Sequence, residues 1–155
     1  MTVIGLATLS DTIVRGLFRD SMRADAANNA GTIRDPKTAT RPAASQFVVT
    51  AFPARDPYYP MIIVEEANDS GGRIERTDAL ELHTYQVRIR IRSEIMTDLY
   101  KLRDQVRKWL NQNYVVMAQA GYCDVDVVSS TSATWDATSS VKEWQITVSG
   151  KAYAS

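Results

Sequence analysis

The stretch 82–110 changes its hydrophobic period partway along. Over residues 85–92, apolar and polar side chains alternate strictly, which is the period of a half-buried strand. Apolar residues then recur at three- and four-residue steps, at Met96, Leu99, Leu102, Val106, Trp109 and Leu110. This spacing predicts an amphipathic helix that ends at residues 111–113. A strand that leads into a helix, each with one apolar face, predicts a sheet with helices on one side.

A first helix is predicted nearer the N-terminus, over Asp11–Ala27. Ser10 and Asp11 suit a helix start, an apolar stripe follows, and residues 28–31 form a stop signal. The next stretch, 31–45, contains a single large apolar residue, Ile33, and predicts a long loop or extended arm. Two interpretations stay open for it, a flexible connection or an arm that becomes ordered on a neighbouring subunit.

Four further segments have the composition of strands: 46–52, 61–66, 123–129 and 141–153. Three prolines interrupt the chain between residues 53 and 60, the stretch 68–72 is a strong turn signal, and 130–140 is a loop rich in Ser and Thr. Segments 61–66 and 82–92 are predicted to pair as an antiparallel hairpin with a polar tip.

The predicted order is helix, strand, strand, strand, helix, strand, strand. It indicates an α+β fold in which a mainly antiparallel sheet of four to five strands carries two helices on one face. The whole chain, 1–155, is expected to form a single domain, because its length suits one core.

Composition excludes several classes of protein. Eighteen basic and eighteen acidic residues cancel, so no global field draws the chain to nucleic acid or anionic lipid. The lone Cys123 cannot form an intramolecular disulfide, which fits a reducing cytosol, and a buried core thiol is expected. No apolar run approaches the roughly 18 residues of a membrane span, and no signal peptide is recognisable. We therefore expect no membrane partner.

The search for catalytic chemistry is mostly negative. His83 is the single histidine, and with no flanking nucleophile it fits a strand histidine better than a catalytic base. Metal binding needs clustered ligands. Glu65 and Glu66 point to opposite strand faces, while Asp124 and Asp126 share a face without an imidazole nearby. We expect no enzyme activity, no metal and no cofactor.

One positive signal is the arginine row, Arg88, Arg90 and Arg92, on one face of the central strand. Alternate strand residues place the three guanidinium groups along about 14 Å. Three interpretations stay open: a solvated sheet face, a contact with carboxylates of a partner protein, or a contact with phosphates. A nucleic-acid platform is the least favoured, because the aromatic Tyr85 falls on the opposite face.

A family resemblance rests on the region 47–110. The block Tyr59-Pro60-Met61-Ile62-Ile63-Val64, the Gly71-Gly72 turn, the alternating strand 85–92 and the helix 99–110 resemble the tail terminator and related tail-completion or neck proteins of long-tailed bacteriophages. The resemblance implies a non-enzymatic virion protein, assembled in the host cytoplasm into a six-membered ring at the head-proximal end of the tail. Its implied partners are other copies of itself, the tail-tube protein, whose polymerisation it would stop, and the head connector. Genomic DNA would pass through the ring without specific binding.

In such a ring, several segments are expected at contacts between subunits or with neighbouring rings. These are the 31–45 stretch, the corner of Tyr58 and Tyr59, and the hairpin tip with Asp69 and Arg73. The arginine row would face a neighbour or the lumen. The tyrosines suit either interface anchors or an ordinary packed turn. Two alternative functions remain, a neck or head-closure protein of the same particle and a nucleic-acid-binding module that uses the arginine row.

Overall fold

A computed structural model describes residues 3–4, 11–28, 30–53, 55–73, 81–119, 122–132 and 140–154. Two helices and one sheet make up the fold, which confirms the predicted α+β class. The elements in chain order are β1 (Val3–Ile4), α1 (Asp11–Ala27), β2 (Val48–Val49), β3 (Met61–Arg73), β4 (Glu81–Ser93), α2 (Met96–Gln119), β5 (Tyr122–Ser132) and β6 (Lys142–Ala154).

The sheet is mainly antiparallel, with β4 between β3 and β6. On the outer side of β6, the antiparallel β5 pairs with residues 144–152, and the parallel β1 pairs with Tyr153 and Ala154. At the opposite edge, the two-residue β2 runs parallel to β3. The strands β5 and β2 therefore lie at opposite edges of the sheet. The short strand β1 was not predicted, and β2 is shorter than the predicted strand 46–52.

The core lies on one face of the sheet, as the alternation in β4 predicts. Apolar side chains of three adjacent strands meet there with both helices, and all are at most 5% exposed. The ring of Phe18 from α1 meets that of Trp109 from α2 edge to face, with centroids 6.4 Å apart. The strand residues of this face are Ile62, Val64, Tyr85, Val87, Ile89, Ile91, Ile146 and Val148.

The second helix is longer than its sequence pattern predicts. Asn111, Gln112 and Asn113 do not end α2, which continues to Gln119. The amide of Asn113 donates a 2.8 Å hydrogen bond to the carbonyl of Trp109, one turn earlier. Asn and Gln cost a helix interior only a few tenths of a kcal/mol, and no glycine or proline follows until Gly121. The predicted stop was therefore wrong.

The hairpin of β3 and β4 is confirmed, but the predicted turn at 68–72 is wrong. A register irregularity after Glu66 lets β3 continue, and Gly71 and Gly72 pair with His83 and Leu82 of β4. Asp69 and Arg73 consequently belong to a strand. The connection, 74–80, lies outside the described residues, as do Trp135 and Asp136 of the predicted 130–140 loop.

A close contact fixes the packing of β4 against β6. Tyr85 is 5% exposed and stands directly opposite Gly150 in the sheet. A Cβ atom at position 150 would lie 2.5 Å from the Tyr85 hydroxyl oxygen and 2.8 Å from its ring carbon Cζ. The absence of a side chain at Gly150 therefore leaves the space that the Tyr85 ring occupies across the strand pair.

Candidate interaction surfaces

The 31–45 loop is held by its own chain. Ile33 is fully buried, and its backbone N–H donates a 2.7 Å hydrogen bond to the Asp25 carboxylate of α1. Side chains of α2 hold the same part of the loop: Gln112 bonds Thr32 at 2.7 Å, and Gln105 accepts from the Arg34 N–H at 3.0 Å. These contacts hold the first part of the loop against both helices.

A buried ion pair fixes the second half of the loop. Asp35 and Arg41 are each 8% exposed, and Nε of Arg41 donates to the Asp35 carboxylate. The same guanidinium donates to the carbonyl of Tyr58 at 3.0 Å and to that of Pro60 at 2.6 Å. One side chain thereby joins the 31–45 loop to the chain that leads into β3.

The predicted tyrosine corner is already in contact with this loop. The Tyr58 hydroxyl donates to Thr40 oxygens at 3.0 and 3.2 Å, and the Arg41 guanidinium lies 5.0 Å from the Tyr58 ring centre. Tyr59 is half-buried and is joined to Pro60 by a cis peptide bond. These contacts agree with the packed-turn interpretation.

Two members of the arginine row are neutralised within the sheet. Arg90 bridges Glu143 of β6 and Glu65 of β3, with N to O distances of 2.7 to 2.8 Å. Arg92 donates to the same Glu143 oxygen at 2.7 Å, and Gln145 donates to the other oxygen at 3.0 Å. Arg90 and Arg92 therefore have carboxylate partners within their own sheet.

The electrostatics of this network follow from its geometry. Burial raises the pKa of Glu143, but hydrogen bonds from Arg92, Gln145 and Arg90 outweigh that effect, so the pKa lies below its ordinary value. Burial lowers the pKa of Arg90, and its bonds to Glu143 and Glu65 raise it further than burial lowers it. Both groups remain charged at neutral pH.

The other predicted contact residues are not brought together with this network. Arg88 stands opposite Glu65 and Thr147 in the register, is half-buried, and makes no hydrogen bond or ion pair with any part of the chain that the structure describes. Asp69 and Arg73 pair through their backbones with Tyr85 and Glu81, and their side chains lie outside the described set.

An open cleft lies between α2 and β5, which we call the α2–β5 cleft. Its volume is about 280 Å³, with Leu110 and Val148 among its apolar lining residues and Asn111 and Asp126 among its polar ones. Tyr114, which also lines it, is 58% exposed, as is Val128 on β5. Within the described ranges, no strand pairs with the outer edge of β5.

A second exposed feature lies in the chain between β2 and β3, in residues 50–53 and 55–58, which we call the 50–58 segment. Phe52 is 41% exposed, and the Arg92 guanidinium lies 4.5 Å from its ring centre. Arg55 is exposed, and the next residue, Asp56, has a positive φ of 48°. The segment thus presents an aromatic ring and a cation together.

Sequence patterns could not predict the charge network around Glu143, the α2–β5 cleft or the exposed Phe52. The alternation in β6 places Glu143 with Gln145 on the polar face, but pairing Glu143 with Arg90 needs the register between β6 and β4. The α2–β5 cleft includes Tyr114, which follows the predicted helix end. Phe52 falls in a segment whose composition predicts a strand.

Catalytic and membrane roles receive no structural support in the described ranges. No group of three His, Cys, Asp or Glu side chains converges there as a metal site would require. His83 pairs through its backbone with Gly71 and Ala152. Neither α1 nor α2 combines the length and the apolar composition of a membrane span.

Comparison with known proteins adds no family to the fold class. No protein-family model matches the chain, and no curated protein matches it either. The chain is thus an α+β protein with two exposed regions that differ in chemistry, the α2–β5 cleft and the 50–58 segment.

Proposed function

We propose that this protein is a structural subunit of a bacteriophage tail, which assembles into a ring at the head-proximal end, stops polymerisation of the tail tube and joins the tail to the head connector. The observation that carries the proposal is the continuous unit of β3, β4 and α2. Apart from Tyr59 and Pro60, which directly precede β3, the blocks on which the family resemblance rests fall in this unit, and it supplies most of the apolar core.

The two sides of the sheet are compatible with ring formation. A closed ring of identical subunits with more than two members needs two different, complementary surfaces on each subunit. The α2–β5 cleft and the 50–58 segment differ in chemistry and are separate: the cleft lies between α2 and β5, and Phe52 of the segment lies against Arg92 of β4.

The charge network supports a structural role over nucleic-acid recognition. Phosphate binding depends on cations that can release counterions. Arg90 and Arg92 already have carboxylate partners within the sheet, which leaves Arg88 as the less compensated member of the row. A ring subunit that lets DNA pass without specific binding needs no stronger cationic surface.

The test is the mass of the purified protein in solution, by light scattering over a range of concentrations, alone and with tail-tube protein. We expect a discrete ring, or a monomer that assembles when tube protein is added, together with shorter tubes in electron micrographs. A monomer that ignores tube protein at every concentration contradicts the proposal.

DNA titration in the same instrument separates the alternative. A nucleic-acid module would bind DNA with strong salt dependence, and replacing Arg88, Arg90 and Arg92 by serine would abolish that binding. The proposed ring subunit shows no such salt-dependent affinity. A neck or head-closure protein of the same particle would assemble without capping tubes.

A further inference from the structure

We propose that the 50–58 segment of one copy docks into the α2–β5 cleft of the next copy, with Phe52 in the cleft and Arg55 beside Asp126. This inference rests on the proposed ring function and specifies which surfaces form the contact between subunits. It commits to a second copy of this chain as the occupant of the cleft.

The cleft has the properties of a receiving site. Leu110, Val125, Val127 and Val148 supply apolar surface to the lining, and Asn111 and Asp126 supply polar groups, a combination that ligand pockets share. A cavity of about 150 Å³ is known to hold benzene. The cleft of about 280 Å³ therefore has room for a phenylalanine ring.

The 50–58 segment has the properties of the matching insert. Phe52 is 41% exposed in the single chain. An aromatic ring that becomes buried on assembly contributes strongly to the binding energy of an interface. The Arg92 guanidinium lies 4.5 Å from the ring and is itself fixed by Glu143, so the ring is held in place before docking. A restrained anchor loses less conformational entropy on binding than a free one.

Charge complementarity sets the register of the contact. Arg55 is exposed three residues after Phe52, and Asp126 is an exposed polar member of the cleft lining. When Phe52 enters the cleft, the cation and the carboxylate come within the reach of one arginine side chain. Opposite charges at the rim favour this pairing over the pairing of like surfaces.

The placement of the two surfaces favours a closed ring over a two-fold dimer. A contact that joins the α2–β5 cleft of one copy to the 50–58 segment of the next uses a different surface from each copy, because the segment contributes no residue to the cleft. Such head-to-tail contacts propagate around a ring. Pairing of two β5 edges, by contrast, would give a two-fold dimer and leave the 50–58 segment exposed.

Charge reversal on each side gives the test, with Arg55→Glu and Asp126→Arg prepared as separate proteins. Each alone places like charges at every contact, so we expect ring assembly to need at least about tenfold higher concentration than in the wild type. In an equimolar mixture each contact again joins opposite charges, and the ring re-forms with the two variants alternating. Native mass spectrometry identifies the alternating composition, since the variants differ in mass.

Controls separate the surface from the fold and from charge in general. Lys101→Glu and Asp104→Arg make the same charge changes at exposed positions of α2 away from the cleft, and we expect both to assemble like the wild type. Phe52→Ser is expected to weaken assembly in every mixture, because a charge reversal on another subunit cannot replace the lost phenyl group. Circular dichroism checks that each variant keeps its fold.

Each contrary outcome has its own meaning. If the wild type forms a ring and both charge variants assemble at wild-type concentration, the proposed docking is wrong while the ring function stands. A wild-type dimer that Arg55→Glu leaves unchanged indicates pairing of β5 edges and overturns the docking. A wild type that stays monomeric with and without tube protein overturns the ring function and the docking together.

Discussion

At the scale of single residues, two glycines differ in what a methyl group would meet. A Cβ atom at Gly31 would lie 1.9 Å from the backbone oxygen of Asp25, whereas at Gly16 the nearest atom is an Arg19 side-chain nitrogen at 3.8 Å. We expect Gly31→Ala to lower the free energy of unfolding by about 2 kcal/mol or more, because the backbone must shift. The urea unfolding midpoint measures this change.

Gly16→Ala is the matched control, since Gly16 lies inside α1 with space around it. Alanine reduces the conformational freedom of the unfolded chain and suits a helix interior. The free energy of unfolding of this variant should therefore rise by about 0.5 to 1 kcal/mol. Equal effects of the two substitutions would show that the close approach of Asp25 to Gly31 is unimportant for stability.

The charge network predicts a pH dependence that belongs to Glu143. Because the pKa of Glu143 in the folded protein lies below its ordinary value of 4.5, its ionised form stabilises the fold. This contribution is fully present above pH 4.5 and is lost as the pH falls through the lowered pKa. Glu143→Gln should therefore cost about 1 to 2 kcal/mol at pH 7 and progressively less in acid.

Chemical unfolding of wild type and Glu143→Gln at several pH values measures the difference. Glu94→Gln serves as the control, because Glu94 is exposed in the short connection before α2. A cost of Glu143→Gln that stays constant down to pH 3 would contradict the assignment of this pH dependence to Glu143.

The arginine row shows what can be read from residues alone. Its common strand face follows from alternation and is confirmed, since Arg88, Arg90 and Arg92 are half-buried between fully buried neighbours. Its neutralisation could not be predicted. Glu143 lies more than fifty positions away in the chain, and only the register of β4 with β6 brings it to Arg90.

At the scale of elements, the 31–45 loop depends on one guanidinium. Arg41→Lys keeps the charge beside Asp35 but cannot reach two carboxylate oxygens and two carbonyl oxygens at once. We expect a loss of about 2 to 4 kcal/mol in unfolding free energy. Amide hydrogen exchange should also become faster in the 31–45 loop than in the strands.

Arg107→Lys is the comparison, because it makes the same substitution at an exposed position of α2 outside the 31–45 loop. It should leave both the unfolding midpoint and the exchange rates close to those of the wild type. Uniformly faster exchange in Arg41→Lys, in the strands as much as in the loop, would mean that the pair stabilises the whole fold without holding this segment in particular.

The ends of elements divide into those that local chemistry sets and those that partners set. The bounds of α1 are confirmed, since a carboxylate marks its start and Asn28 follows its end. The strand β3 continues past a turn signal because β4 pairs with it residue by residue, and α2 continues past an Asn-rich stretch. Strand pairing overrides the local turn signal in β3, whereas in α2 the Asn-rich stretch costs too little to end the helix.

At the scale of the whole molecule, both helices and the central strands share one apolar core. We expect unfolding in a single cooperative step, because no part of this core can be exposed without the rest. Far-ultraviolet circular dichroism and tryptophan fluorescence should give the same midpoint in urea, at a concentration where one species is present. Two separate midpoints would contradict a shared core.

The fold class and the order of elements from α1 onward could be predicted from hydrophobic period alone, because each face repeats over many residues. The strand order could not, since β1 and β2 contribute only two residues each and their parallel pairing carries no local signal. The α2–β5 cleft likewise needs the three-dimensional placement of α2 beside β5.

The contact of Tyr85 with Gly150 makes a statement about the evolution of this chain. Whenever a relative carries a side chain at position 150, its hydroxyl-bearing ring at position 85 must give way, because the two occupy the same space across the strand pair. Residue sizes at these two positions should therefore vary in opposite directions among descendants of a common ancestor.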